Sequence, residues 1–278
     1  MDSLHQQVIL ITGASSGIGA ASARAFGRAG ARVALAARRA DKLEAIAAEI
    51  RAQGGEALVI PTDVSQLSEV KNLVQQTASH FGQIDVLFNN AGFGRLDFLD
   101  RLDPEADIAA QFAVNVLGVM QTTRQVLPLM MAQKRGHIIN MASVAGLVAM
   151  PTYSVYAACK FAVRGFSEAL RREVAPWGIR VSVIYPGGVA TEFGQQARLQ
   201  RKTGVTTPRW LRLTSEQVAE MVVELARTGR PNATPVFPFL YRITAWLNLT
   251  WPGLVDRLVV RNFTAQERSE ELRAAGLR

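Results

Sequence analysis

A single cysteine, Cys159, stands in this sequence of 278 residues. One thiol closes no intramolecular disulfide and builds no cysteine-rich zinc site, so the expected setting is a reducing one, the cytoplasm. Histidine is almost as scarce. His5, His80 and His137 have no carboxylate or thiol at ligand spacing, so surface or strand-edge positions are expected of them rather than metal binding. No uncharged apolar run reaches the ~18 residues that a membrane-spanning helix requires. The most lipid-like stretch, Phe237–Val260, is interrupted by Arg242, Pro252, Asp256 and Arg257. The polar start over 1–7 and the short apolar run over 8–11 do not read as a secretory signal. Acidic residues are in deficit, 23 against 31 basic ones, for a net charge of +8. Such an excess suits an anionic partner. No zinc-finger, basic-zipper or RNA-recognition signature accompanies it, so nucleic-acid binding is not expected.

What is present is a globular composition, 49% hydrophobic and 19% charged, too apolar for a disordered chain. Short β-branched runs alternate with longer helical patterns. Strands are predicted at Val8–Thr12, Arg32–Ala37, Ala57–Thr62, Ile84–Asn89, Ile138–Met141, Val181–Tyr185 and Thr234–Phe237. Helices are predicted at Ile18–Arg28, Asp41–Gln53, from a Ser65 cap to Phe81, from the Asp103-Pro104 cap to Gln133, over Ser154–Ala175, and from a Thr214/Gln217 capping box to Arg227. Continuous apolar strands separated by helices imply a parallel sheet covered on both faces, with right-handed crossovers. The expected class is α/β, a Rossmann-like doubly wound sheet in one domain over 1–237. A polar segment over 187–213 is expected as a substrate lid, and an apolar helical extension over 238–278 as an addition, its last helix opened by a Thr264/Glu267 capping box.

The chemistry begins after the first strand, at Thr12-Gly13-Ala14-Ser15-Ser16-Gly17-Ile18-Gly19. Gly13 permits a tight turn, Gly17 close backbone approach, and Gly19 close packing of helix on sheet. The helix start at Ser15, Ser16 and Ile18 offers free N–H groups and a positive dipole end to a pyrophosphate. The spacing is G-x-x-x-G-x-G, which is neither the common G-x-G-x-x-G turn nor a P-loop. An NAD site usually places an acid at the end of the second strand, for the ribose 2′-hydroxyl. Here that position reads Ala36-Ala37-Arg38-Arg39. Arginine suits a 2′-phosphate, so Arg38 and Arg39 point to NADP(H). The competing reading is two surface arginines that begin a helix.

From Gln7 to Phe237 the sequence resembles the short-chain dehydrogenase/reductase family. The motifs that carry the resemblance occur in order: Thr12–Gly19, Asp63-Val64, Asn89-Asn90-Ala91-Gly92, Asn115, Ser143, Tyr156-Ala157-Ala158-Cys159-Lys160, and Pro186-Gly187 followed by Val189 and Thr191. The resemblance implies that Asp63 and Val64 contact adenine and that Asn90, Ala91 and Gly92 line the cofactor cleft. It implies that Pro186, Gly187, Val189 and Thr191 border the nicotinamide, and that Asn115, Ser143, Tyr156 and Lys160 form a catalytic tetrad. A homodimer or homotetramer is implied as well.

The chemistry of the tetrad follows from the residue types. Hydride transfer to a carbonyl builds negative charge on oxygen, which needs a proton donor and aimed hydrogen bonds. Tyr156 and Lys160 are i and i+4 on one helix and share a face. The lysine cation is expected to lower the phenol pKa, Ser143 to hold the substrate oxygen, and Asn115 to hold a water linking Lys160 to solvent. Each alone has a plain structural reading, as a chance pair, a turn cap or a helix amide. Their joint occurrence behind a dinucleotide turn favours catalysis. Phe93, Leu96, Phe98, Val144, Leu147, Met150 and Tyr153 are the expected pocket walls, suited to a lipophilic ketone or aldehyde. The expected activity is thus NADP(H)-dependent interconversion of a carbonyl and an alcohol. The alternatives are a non-catalytic cofactor-binding sensor or scaffold, and a reductase held at a membrane surface by its apolar tail.

Overall fold

A computed structural model describes residues 4–197, 212–228, 236–237 and 239–276. Most of the expected lid, 198–211, and residues 234–235 of the last expected strand lie outside the described residues. A parallel sheet forms the centre, from strands β1 (Val8–Thr12), β2 (Arg32–Ala37), β3 (Glu56–Pro61), β4 (Val86–Asn89), β5 (Gly136–Met141) and β6 (Ile179–Pro186). A parallel pair, β7 (Val189–Ala190) with β8 (Leu213–Thr214), follows, and β9 (Val236–Phe237) pairs with the end of β6. The sheet order is β3-β2-β1-β4-β5-β6-β9. The chain therefore winds one way from β1 and the other way from β4, which opens a crevice at the carboxyl ends of these two strands.

The strands are buried on both faces because side chains alternate between two cores. Ile9, Ile11, Val33, Leu35, Val86 and Phe88 face helices α1 (Gly17–Arg28), α2 (Ala40–Ala52) and Ser215–Thr228. Leu10, Ala34, Leu87, Ile138 and Val181 face α3 (Leu67–Phe81) and the helices Val119–Gln133 and Ser154–Val174. Each fully buried side chain of this size contributes about 1.5–3 kcal/mol over an exposed one. A polar ladder runs through the middle: Asn89 Nδ2 donates to Thr123 Oγ1 at 3.0 Å and to Asn140 Oδ1 at 2.9 Å, and Asn140 Nδ2 to Ser167 Oγ at 2.8 Å. It ties β4 and β5 to the helices behind them.

Local signals succeed where a motif closes on itself. Thr214 and Gln217 form the expected capping box, with Gln217 N–H to Thr214 Oγ1 at 3.2 Å and Thr214 N–H to Gln217 Oε1 at 2.9 Å. Asp103 Oδ1 accepts from the amides of Glu105 (2.9 Å) and Ala106 (2.7 Å). Four expectations need correction. Ser65 does not cap α3; its N–H and Oγ–H bond to Asp63 Oδ1 instead, closing a turn before the helix. Thr264 lies inside helical backbone and caps nothing. The helix after Asp103 is regular only from Val119, because 104–109 and 113–118 are wound as wide π turns. His137 is neither at the surface nor at an edge: it is fully buried on the central strand β5, with Nε2 2.9 Å from Ser182 Oγ. Burial there pushes its imidazole down to about 3, with Arg180 adding to the effect, so the ring is neutral. Among the described residues no cluster of His, Cys, Asp or Glu is placed to hold a metal, and no helix is long and apolar enough to cross a membrane.

Candidate active site at the carboxyl ends of the strands

The glycine turn sits in the β1/β4 crevice. Gly13 adopts φ +67°, and a Cβ on it would lie 2.7 Å from the Ala91 Cα. A Cβ on Gly19 would lie 2.2 Å from the Gly13 carbonyl oxygen, so helix and turn meet backbone to backbone. The turns after β1 and β4 are stitched together. Thr12 Oγ1 accepts from the amides of Asn90 and Ala91, both at 3.1 Å, and Asn90 Nδ2 donates to the carbonyls of Thr12 and Gly13, both at 3.1 Å. The first turn of α1 carries no acidic residue, and Ser16 at its N-cap makes no capping bond. Its free amides are left facing the crevice, where Ser16, Gly17 and Ile18 line a cavity of about 680 Å³.

At the outer end of this turn the two arginines part company. Arg38 is 76% exposed along its side chain and stands 4.0 Å from Asp63. Arg39 folds back over the glycine turn. Its guanidinium donates to Ser15 Oγ (3.1 and 3.2 Å) and Ser16 Oγ (2.7 Å), and it pairs with Glu192 at 3.2 Å. Lys42 also reaches Glu192, at 3.3 Å. Hydrogen bonds from Arg39, then Lys42, hold the Glu192 carboxyl below the usual carboxylate range. Nothing in the sequence singled out Lys42 or Glu192, because they are 150 residues apart and meet only across the crevice. Asp63 is engaged in its own turn, and Val64 is buried, packed where Gly118 leaves room, since a Cβ on Gly118 would come within 2.8 Å of it.

The four tetrad positions converge on the crevice from three elements. Ser143 follows β5, its Oγ accepting from the Ala145 amide at 3.2 Å, and it lines the cavity together with Tyr156. Tyr156 and Lys160 stand in the first two turns of Ser154–Val174 and are both buried. Lys160 Nζ lies 5.5 Å from the Tyr156 ring centre and donates to the Met141 carbonyl at 2.9 Å. Asn115 lies in the second wide turn. Its Oδ1 accepts from the Phe93 amide at 2.9 Å and its Nδ2 donates to the Phe93 carbonyl at 2.7 Å, so the side chain clamps the loop that follows Gly92. Pro186 ends β6, and Gly187, Val189 and Thr191 line the far side of the cavity.

The electrostatics differ from the expectation in one respect. Burial pushes the Tyr156 phenol above its ordinary range, and the Ser143 hydrogen bond opposes it. Lys160 is not a principal influence, because burial also drives its own amine down to about 8. Burial similarly pushes the Cys159 thiol up to about 11, as suits a packed thiol. The lysine has a thermodynamic consequence. An unfolded lysine keeps its proton to about pH 10.4, whereas the folded one sheds it near 8. The unfolded state thus binds more protons across that window, so stability from this group rises with pH between about 8 and 10.4 and is lost as pH falls through 8. Cys159 acts in the opposite sense between 9 and 11. Lys160→Met isolates the lysine: relative to that variant, the protein should gain on the order of 3 kcal/mol across the window in urea unfolding. Parallel profiles would count against a buried lysine.

The walls are apolar, though not all those expected. Leu96, Val144, Met150 and Tyr153 line the cavity. Phe98 instead stacks under Arg268 at 3.9 Å, Phe93 under Arg95 at 5.4 Å, and Leu147 packs into a separate core. Their places are taken by Phe193, whose ring sits 5.3 Å from that of Tyr156, and by Tyr241 and Phe263 from the C-terminal region. Residues 7–202 match the family model of the short chain dehydrogenases. The chain belongs to the short-chain dehydrogenase family. It is 44% identical over 192 residues, 68% of this chain and 77% of the relative, to an uncharacterized oxidoreductase of Listeria innocua. It is 37% identical to a 3-oxoacyl-[acyl-carrier-protein] reductase of Synechocystis, over 84% of this chain and 87% of the relative. A short-chain dehydrogenase/reductase of Burkholderia phymatum, solved in complex with NAD, superposes with a TM-score of 0.81 at 29% identity, over 91% of this chain and 96% of that one. The chain is an oxidoreductase of this family with its doubly wound fold.

Proposed function

We propose that this oxidoreductase interconverts a lipophilic carbonyl compound and its alcohol, with NADP(H) as hydride carrier. The observation that carries the reading is one cavity bordered both by the free amides of the glycine turn, at Ser16–Ile18, and by Ser143, Tyr156 and Lys160. The turn fits a dinucleotide because glycine lets it pack tightly on the protein side, where Cβ atoms on Gly13 and Gly19 would collide with backbone, while the amides of the helix start stay uncovered for a pyrophosphate. When bound, the reduced nicotinamide supplies the hydride. The protein's part is the oxygen. Ser143 and the Tyr156 hydroxyl can both reach one substrate oxygen, and Tyr156 gives it the proton that balances the arriving hydride. Lys160 is held by the Met141 carbonyl, which leaves further N–H groups to position a ribose hydroxyl. Asn115 positions the loop at Gly92 and Phe93. The apolar walls favour a lipophilic substrate, and the Synechocystis relative is named as a reductase of a 3-oxoacyl chain.

Preference for NADP(H) rests on Arg39 and Lys42, two cations at the ribose end of the turn with no acid at the end of β2. The Burkholderia relative, with NAD, argues that the arginines and not the fold decide. Assays of the purified protein with NADPH and NADH over a panel of ketones, aldehydes and alcohols test the whole reading; turnover with NADH alone would overturn the cofactor assignment. Glu192 adds a finer test. A 2′-phosphate must displace its carboxylate from Arg39 and Lys42, so Glu192→Gln should tighten NADPH binding about two- to fivefold, the scale of a half-exposed charge contact, and leave NADH nearly unchanged. Equal shifts for both cofactors in a fluorescence titration would remove Glu192 from that competition.

A further inference from the structure

The helices Leu240–Thr250 and Pro252–Val259 contain no fully buried residue. Many of the outward side chains on and between them are nonetheless apolar: Leu249 is 81% exposed, Trp246 and Trp251 55% each, and Leu254 and Leu258 are also exposed. Helices this short are marginal in water without a packing partner, and a contiguous apolar surface marks an interaction face. We propose that this face docks on an anionic lipid bilayer, with the two helices lying in the headgroup plane.

Charge selects this partner over a second copy of the chain. Arg242, Arg257 and Arg261 are exposed on these turns, and among the described residues none of them forms an ion pair with a carboxylate. From 239 to 266 the only acid is Asp256. A two-fold contact across this face would gather both copies' arginines, with only their Asp256 residues to offset them, in one interface. An anionic surface neutralises them, each strengthening attachment about fivefold. Trp246 and Trp251 meet edge to face at 5.7 Å, and indoles of this kind, apolar with one N–H, settle at the membrane interface. Neither helix can span, so the attachment is peripheral. The face also adjoins the cavity. Tyr241, in the first turn of Leu240–Thr250, and the buried Phe263 both line it. Ion pairs of Arg268 with Asp100 and of Arg101 with Glu271 fasten the end of the chain to the segment beside it. Delivery of a lipophilic substrate from the bilayer into the cavity rests on the function proposed above; the docking itself does not.

Co-sedimentation of the full chain with vesicles tests the proposal independently of turnover. Vesicles of phosphatidylcholine with phosphatidylglycerol should bind the protein and shift its tryptophan emission to the blue, with affinity falling about tenfold or more at high salt. Vesicles of phosphatidylcholine alone should bind it weakly. Leu249→Glu, an exposed position outside the cavity, should lower binding at least about tenfold, and joint Arg257→Gln and Arg261→Gln about twentyfold, with circular dichroism and cofactor titration unchanged. No sedimentation with anionic vesicles, binding indifferent to salt, or binding indifferent to Leu249→Glu would each overturn the proposal. So would a Leu249→Glu protein that changes from dimer to monomer in light scattering, which would assign the face to a second copy.

Discussion

Replacing Tyr156 by phenylalanine should lower turnover about 10²- to 10⁴-fold, the scale of a lost general acid, while leaving the fold intact. The ring is held by Phe193, Tyr153 and the buried start of its helix, none of which needs the hydroxyl. What disappears is the phenolic proton donor that stands beside Ser143 at the cavity wall. The phenol's raised pKa keeps it protonated at neutral pH, so in the reductive direction it begins as a competent acid. In the oxidative direction it must lose that proton, and a bound cofactor has to strengthen the influence of Lys160 for this to occur near neutrality. The oxidative rate should therefore climb more steeply with pH than the reductive rate. Steady-state assays in both directions, with thermal unfolding and cofactor titration as controls, check the variant. Turnover within about threefold of the parent would remove Tyr156 from proton transfer.

Replacing Arg39 by alanine should weaken NADPH binding about 30-fold and leave NADH within about threefold, whereas Arg38→Ala should change either by no more than about threefold. The asymmetry comes from placement. The Arg39 guanidinium is fixed by three hydrogen bonds to Ser15 and Ser16, so it is already oriented, whereas Arg38 projects into solvent. Losing an ordered charge pair costs 2–5 kcal/mol when buried, and Arg39, partly exposed, belongs at the low end, about 2 kcal/mol. Titration of both cofactors against both variants decides it. A larger loss from Arg38 than from Arg39 would reverse the assignment.

Residue by residue, legibility followed the range of the interaction that fixes each feature. The capping box Thr214/Gln217 and the Asp103 cap act over three residues, and both stand in the structure as read from the chain. Thr264 and Ser65 have the same local pattern and fail. Thr264 is carried inside a helical turn, and Ser65 is taken by Asp63; a cap motif says that a bond is available, not that it is made. The pair Tyr156/Lys160 was legible because one helix fixes both. Phe193, Tyr241 and Phe263 were not, since their places on the cavity wall depend on where the chain returns after β6 and after β9.

The sequence by itself determined the parallel doubly wound sheet, the glycine turn after β1 and the order in which the family's motif residues occur. Strand and helix periodicity, chain handedness and backbone sterics at glycine are properties of short stretches, and they are repeated often enough here to leave one topology. Tertiary structure decided the rest. It chose Arg39 over Arg38 for the turn, set Glu192 against Arg39 and Lys42, turned Asn115 into a clamp on Phe93, and left an apolar, arginine-flanked face on the last helices. Each of these depends on distances between residues tens to hundreds of positions apart. Burial then changes their chemistry, as the depressed amine of Lys160 illustrates: desolvation is a property of the packed interior, and no local pattern of residues encodes its extent.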